Sequence, residues 1–348
     1  VRPHFQDVDL YASTIDPGAY WPLVECPVLF IRSSNDFHAA LDRVYQSIDL
    51  LKHGAWRVST NIHHNHGPGP EQWVLLNLWF DHYLKGTEQN IPHTPPSTLE
   101  VNDDVATFTV TPADQDRLAA TEVYFSYDPN ARTRFWNRAD ATRLGESWSV
   151  DLPLHAELPL YMFALCRYRL EHPVILERGE TTSFVLNSVE QSVVPESVDL
   201  DALTRLPKTR DVFEDFSNGI RDWSTRDQGS IKTYKFQSPD LDRSNDKKLS
   251  LTINPQGRRL ALRLGVKSRF LNRADNLGDF SFARSISGDG PRELFVCKED
   301  FKSADNKTLE WSKIATFEVT IIDLETKAKL DLTSPEGHTV LRAIKLVD

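Results

Sequence analysis

The chain has 348 residues, 40% hydrophobic and 26% charged, which supplies apolar material for buried cores and more length than one ordinary domain uses. Acidic residues outnumber basic ones, 50 to 40, for a net charge of −10, so no footprint for nucleic acid or an anionic membrane surface is expected. No apolar run approaches the roughly 18 residues of a membrane span, and Cys26, Cys166 and Cys297 lie too far apart in sequence to read as a disulfide framework or a zinc knuckle.

The chain opens Val1-Arg2-Pro3-His4, with no methionine and no signal-peptide pattern, which fits a mature N-terminus or a fragment of a longer protein. Cys26-Pro-Val-Leu-Phe-Ile31 reads as a short strand buried on both faces, ending in the polar Arg32-Ser-Ser-Asn-Asp36. From Phe37 to Lys52, the apolar residues Phe37, Leu41, Val44, Tyr45, Ile48 and Leu51 recur at three- and four-residue steps, one face of a helix. Trp56, Val58, Thr60 and Ile62 alternate with polar neighbours as a second strand. After His63-His64-Asn65-His66-Gly67-Pro68-Gly69, Pro70 suits the first position of a helix that carries Glu71 in its first turn and closes at Gly86. Strand–helix–strand–helix predicts a parallel sheet layered with helices.

The texture changes at the proline-rich linker Ile91–Pro96. From there to about 195, short alternating runs such as Leu99–Val101, Thr107–Val110, Val123–Tyr127, Trp148–Val150 and Leu160–Leu165 predict a β-sandwich. A polar stretch from Val194 to Arg210 precedes a third block, again β-rich: Leu249–Ile253, Leu260–Leu264, Phe280–Ala283, Glu293–Val296, Phe317–Ile322 and Val340–Lys345. The expected architecture is multidomain: an α/β segment over 1–90, a β-sandwich over 97–195 and a second β-sandwich over 208–348.

No two of the 15 glycines stand four apart, so there is no G-x-S-x-G nucleophile elbow; G-x-G-x-x-G, the P-loop and H-E-x-x-H are absent as well, and no cofactor is expected. What stands out is Asp36 with the cluster His63, His64 and His66. Both groups lie just beyond the C-terminal ends of strands joined by one helix, so both loops should open on one sheet edge, where α/β sheets present ligand-facing groups. A carboxylate beside an imidazole there fixes its tautomer and stabilises imidazolium, two-thirds of an acid–histidine–nucleophile triad.

These segments resemble a known family. Cys26-Pro-Val-Leu-Phe-Ile-Arg-Ser-Ser-Asn-Asp36-Phe is similar to the penultimate strand and acid loop of α/β-hydrolase serine esterases of the dienelactone-hydrolase, acetylxylan-esterase and prolyl-oligopeptidase-like set. Ile62-His-His-Asn-His-Gly-Pro-Gly-Pro-Glu71 resembles their histidine loop, and Trp79–Gly86 the end of their last helix. The block with Val123–Ser126, Thr133–Trp136 and Leu160–Phe163 resembles the sandwich that follows the hydrolase in PhoPQ-activated pathogenicity-related proteins. The resemblance implies a partial α/β-hydrolase layer followed by an Ig-like β-sandwich. Asp36 becomes the triad acid, His66 the first choice for the base and His64 the second. The substrate becomes a small-molecule or polysaccharide ester, and the compartment secreted or periplasmic. The family's serine elbow and oxyanion hole are missing, so this chain alone should be inactive and is expected to be the C-terminal portion of the enzyme.

Other readings of the same residues stay open. An aspartate after a strand is commonly a helix N-cap or turn residue, and three histidines in four residues also suggest a transition-metal site or a solvated loop. The third block weakly resembles jelly-roll carbohydrate-binding modules through Val212–Phe216, Trp223 and Trp311, whose indoles are equally suited to stacking on sugars or to a core. The alternative function is therefore a non-catalytic glycan-binding β-sandwich protein.

Overall fold

Alternating apolar runs favour strands along most of the chain; 44% of the residues lie in strands against 17% in helices, which makes the protein mainly β. The computed structural model describes residues 8–38, 40–87, 91–177, 179–195, 203, 206–227, 229–268 and 278–348. Most of the predicted polar separator, 196–202 and 204–205, lies outside the described residues. The chain divides into two compact units: Val1–Phe125 with Arg138–Pro153 and Tyr161–Val193, and Ser126–Asn137 with Leu154–Leu160 and Val194–Asp348. Segments 1–90 and most of 97–195 thus share the first unit, whereas 208–348 is joined in the second by two stretches drawn from within the 97–195 block.

In the first unit, helix α1 (Val8–Thr14) precedes β1 (Val28–Ser33), α2 (Leu41–Ile48), β2 (Trp56–Asn61) and α3 (Pro70–Lys85). β1 and β2 pair in parallel, with Val28 opposite Trp56 and Ser33 opposite Asn61. Helix α2 begins at Leu41 rather than Phe37, because the residues after β1 turn and Ala40 is extended, but it buries the expected Leu41, Val44, Tyr45 and Ile48. α3 starts at Pro70 and stops where Gly86 takes φ +67°, as read from the sequence. The two strands differ from expectation in opposite ways. In β1 only Phe30 and Ser33 are buried; it pairs along one edge, with β2, among the described residues. β2 is buried from Arg57 to Thr60, polar positions included. Those positions are tolerated because each finds a partner: Ser59 Oγ donates to the Val185 carbonyl at 2.7 Å, Asn187 Oδ1 accepts from the Thr60 amide at 3.0 Å, and Arg57 Nε donates to the Pro92 carbonyl at 2.5 Å.

Strands β3 (Ser97–Asn102), β4 (Val105–Val110), β5 (Leu118–Ser126), β6 (Asn137–Ala139), β7 (Thr142–Leu144), β8 (Ser147–Pro153), β9 (Leu160–Leu176), β10 (Gly179–Asn187) and β11 (Gln191–Val193) follow. They form the sheets β3-β4-β8-β7 and β10-β9-β5-β6, with β11 on β9. Met162 to Cys166 in β9 are all buried, so both faces of that sheet are covered. The bonds from Ser59 and Thr60 to β10 set the α/β layer against this sheet. Within this packing, burial pushes the Cys166 thiol up to about 12, whereas Cys26 is exposed. Iodoacetamide at pH 8 is therefore expected to alkylate Cys26 in the folded chain and to spare Cys166 until denaturant is added, as read by peptide mass spectrometry. Native labelling of Cys166 would mean that this sheet opens on the labelling timescale.

The second unit contains β12 (Val212–Glu214), β13 (Ser224–Asp227), β14 (Ser230–Thr233), β15 (Lys248–Ile253), β16 (Arg259–Ser268), β17 (Asp279–Ser287), β18 (Arg292–Val296), β19 (Lys302–Ser303), β20 (Ile314–Asp323), α4 (Pro335–Val340) and β21 (Leu341–Val347). Its sheets run β12-β21-β15-β18 and β13-β14-β20-β16-β17-β19. Alternation places Leu260, Leu262, Leu264 and Val266 of β16 in one core with Leu249 and Leu251 of β15 and Phe317, Val319 and Ile321 of β20. Trp223 and Trp311, the sugar-platform candidates, belong to that core and are 4% and 0% exposed. The reading of either indole as a stacking surface is thereby corrected: their Nε1 atoms donate inward, to Glu214 Oε2 at 2.9 Å and the Lys247 carbonyl at 2.8 Å.

The first inserted stretch, Ser126–Asn137, makes contacts within this unit. Phe135 and Trp136 are each 1% exposed, Lys235 Nζ lies 5.8 Å from the centre of the Phe135 ring, and Asn137 Nδ2 donates to Ser238 Oγ at 3.3 Å. A fragment of 208–348 alone would lack the Phe135 ring beside Lys235 and the Asn137 bond to Ser238. It is expected to show faster hydrogen exchange in β14 than the full chain does; equal protection would make the insertions dispensable.

Candidate functional site

The tip of β1 is built to hold a loop. Ser33, Ser34, Asn35 and Asp36 are all buried although all are polar, and they spend their hydrogen-bonding groups on the residues that follow β2. The Ser34 amide donates to the Asn61 carbonyl and the Asn35 amide to the His64 carbonyl, both at 3.0 Å. Ser34 Oγ accepts from the His63 amide at 2.8 Å, and Ser33 Oγ donates to the Gly67 carbonyl at 2.9 Å. Gly67 delivers that carbonyl with φ +106°, a conformation that side chains rarely adopt.

On this floor Asp36 and His66 meet. His66 Nδ1 lies 2.9 Å from Asp36 Oδ2. The carboxylate's other oxygen, Oδ1, accepts the His38 backbone amide at 2.9 Å, so the turn-residue reading of Asp36 describes one half of its work and the histidine contact the other. An ionised carboxylate only accepts, so the proton of the neutral imidazole sits on Nδ1 and Nε2 keeps its lone pair. The Asp36 side chain is 4% exposed and the His66 side chain 61%. A buried acid thus backs an accessible base, flanked by the rings of His38 and Phe37 at 5.4 and 6.0 Å between centroids.

The other histidines turn away. His64 Nδ1 lies 2.8 Å from the Ile62 carbonyl, and His63, buried, meets the ring of Tyr124 edge-on at 6.3 Å. Of the two candidates for the base, the geometry brings His66 to Asp36. The three imidazoles do not converge on one ion, and among the described residues no three His, Cys, Asp or Glu side chains gather as a metal site. No helix among them is long and apolar enough to cross a membrane. Glu71, read from the sequence only as a favourable first-turn charge, accepts from Arg167 of β9 at 2.7 Å; a carboxylate so near the histidine loop in sequence was the available signal.

With the geometry in place, the class is that of a mainly β protein with several sheets consistent with sandwich domains, preceded by a short parallel α/β layer. No protein-family profile matches the chain, and no curated protein matches its sequence. Among solved structures it is similar to the N-terminal CBM22-1–CBM22-2 tandem domain from Paenibacillus barcinonensis Xyn10C, at 10% identity over 72% of this chain and 92% of that one, with a TM-score of 0.20. It is also similar to S. aureus TarS 217–571, at 6% identity over 63% and 59%, with a TM-score of 0.16. Superpositions this loose assign neither fold nor function.

Proposed function

We propose that residues 1–90 are the acid-and-histidine part of an α/β-hydrolase serine esterase, followed by an Ig-like and a jelly-roll-like sandwich. The observation that supports this reading is the buried Asp36 Oδ2 at 2.9 Å from Nδ1 of an exposed His66. In the assembled enzyme, a serine hydroxyl from outside these residues attacks the ester carbonyl and gives its proton to His66 Nε2. Asp36 stabilises the resulting imidazolium. His66 then returns the proton to the leaving alcohol, and water repeats the sequence on the acyl-enzyme. The glycan-binding alternative loses Trp223 and Trp311 as platforms.

The test joins the chain to the segment bearing the serine and follows p-nitrophenyl acetate hydrolysis. His66→Ala is expected to lower kcat/KM by at least about 10³-fold, while His64→Ala stays within about threefold of wild type. An unchanged rate in His66→Ala overturns the reading.

A further inference from the structure

The first turn of α3 is bolted to the sandwich. Glu71 Oε1 accepts from Arg167 Nε at 2.7 Å and from Ser183 Oγ at 2.6 Å, while its Oε2 accepts from Arg167 Nη2 at 3.3 Å. Arg167 is gripped from its other side by Glu122 Oε2 at 3.2 Å, and Glu122 in turn by Arg138 at 3.3 Å. The paired carboxylates hold the Arg167 guanidinium well above its usual range despite burial. A two-toothed arginine–carboxylate contact fixes orientation as well as distance.

Glu71 also stands at the exit of the histidine loop. Its neighbour Gln72 accepts from the Gly69 amide at 2.9 Å and donates to the Thr60 carbonyl at 3.2 Å, closing the loop at its far end. The loop is therefore pinned to β1 at one end and, through α3, to β9 and β10 at the other. We propose that Glu71 and Arg167 are positioning residues: the sandwich sets the place of His66 relative to Asp36 through this clamp. The inference rests on the reading of Asp36 and His66 as a hydrogen-bonded acid–base pair.

The experiment measures the His66 ring by 15N NMR on the full chain at neutral pH, reading the ratio of Nδ1–H to Nε2–H tautomers. The variants are Glu71→Ala, Arg167→Ala, the milder Glu71→Gln, and Asp36→Asn as reference. Asp36→Asn is expected to remove the Nδ1–H preference, and Glu71→Ala and Arg167→Ala to reduce it in the same direction, with Glu71→Gln between them and wild type. If Asp36→Asn shifts the ratio and the clamp variants melt lower yet keep the wild-type ratio, the clamp only stabilises, and the proposal falls while the pair stands. If Asp36→Asn leaves the ratio unchanged, the pair itself is overturned, and with it the ground for the clamp.

Discussion

On the function proposed above, replacing Asp36 with asparagine is expected to lower kcat on the order of 10⁴-fold once the chain is joined to its serine, with KM and the melting temperature little changed. The size of the effect comes from acceptor counting. Asp36 uses both oxygens as acceptors, Oδ1 for the His38 amide and Oδ2 for His66. Asparagine has one acceptor and one donor group in the same volume. If its oxygen keeps the His38 amide, its NH₂ faces Nδ1, and the imidazole answers by moving its proton to Nε2. The base that should take the serine proton is then already protonated there, in an otherwise intact site. Steady-state kinetics beside thermal unfolding checks the expectation, and a rate within tenfold of wild type would contradict it.

The second large effect is one of stability, far along the chain from that pair. Lys235 is 4% exposed in the second unit, with Nζ 3.1 Å from Glu214 Oε2 and 2.7 Å from Asp222 Oδ2. Glu214 is itself buried; Oε2 also takes the Trp223 indole, and Oε1 takes the Asp215 and Phe216 amides at 3.1 and 3.0 Å. Lys235→Ala strands the Glu214 charge in the core and is expected to cost about 3–5 kcal/mol. Lys235→Met with Glu214→Gln removes both charges, keeps one acceptor for the two amides, turns its NH₂ toward the Trp223 indole donor and leaves Asp222, which is partly exposed, to water. That pair should recover part of the loss, the unpaired indole N–H accounting for the remainder. Urea unfolding followed by amide exchange in β14 separates the cases; a double variant as unstable as the single one would show that lysine packing, and not charge burial, sets the cost.

Much of this was legible in the sequence, and the misses share one cause. Helix α3 could be bounded because proline and glycine act locally, and the β runs of the third block could be placed because alternation records burial on one face. The meeting of Asp36 and His66 followed from two loops at one edge of a parallel pair. Burial on a second face leaves no such local trace. Ser59, one of the polar neighbours in the alternation of β2, lies against β10 instead of facing water. Glu71 was read through its own helix, whereas its partner is 96 residues away in β9. Trp223 and Trp311 gave a spacing compatible with either surface or core, and only the surrounding chain decides between them.

The membership of Ser126–Asn137 in the second unit has a consequence for biosynthesis. The ribosome delivers Phe135 about 100 residues before Lys235, whose ammonium lies against its ring, and at roughly 5–20 residues per second that partner emerges about 5–20 s later. During that interval the stretch Ser126–Asn137, with Phe135 and Trp136, waits without the rest of its unit. A chaperone that recognises exposed aromatics has its natural window there, and slowed translation downstream of residue 208 should lower the soluble yield more than slowing upstream of residue 126.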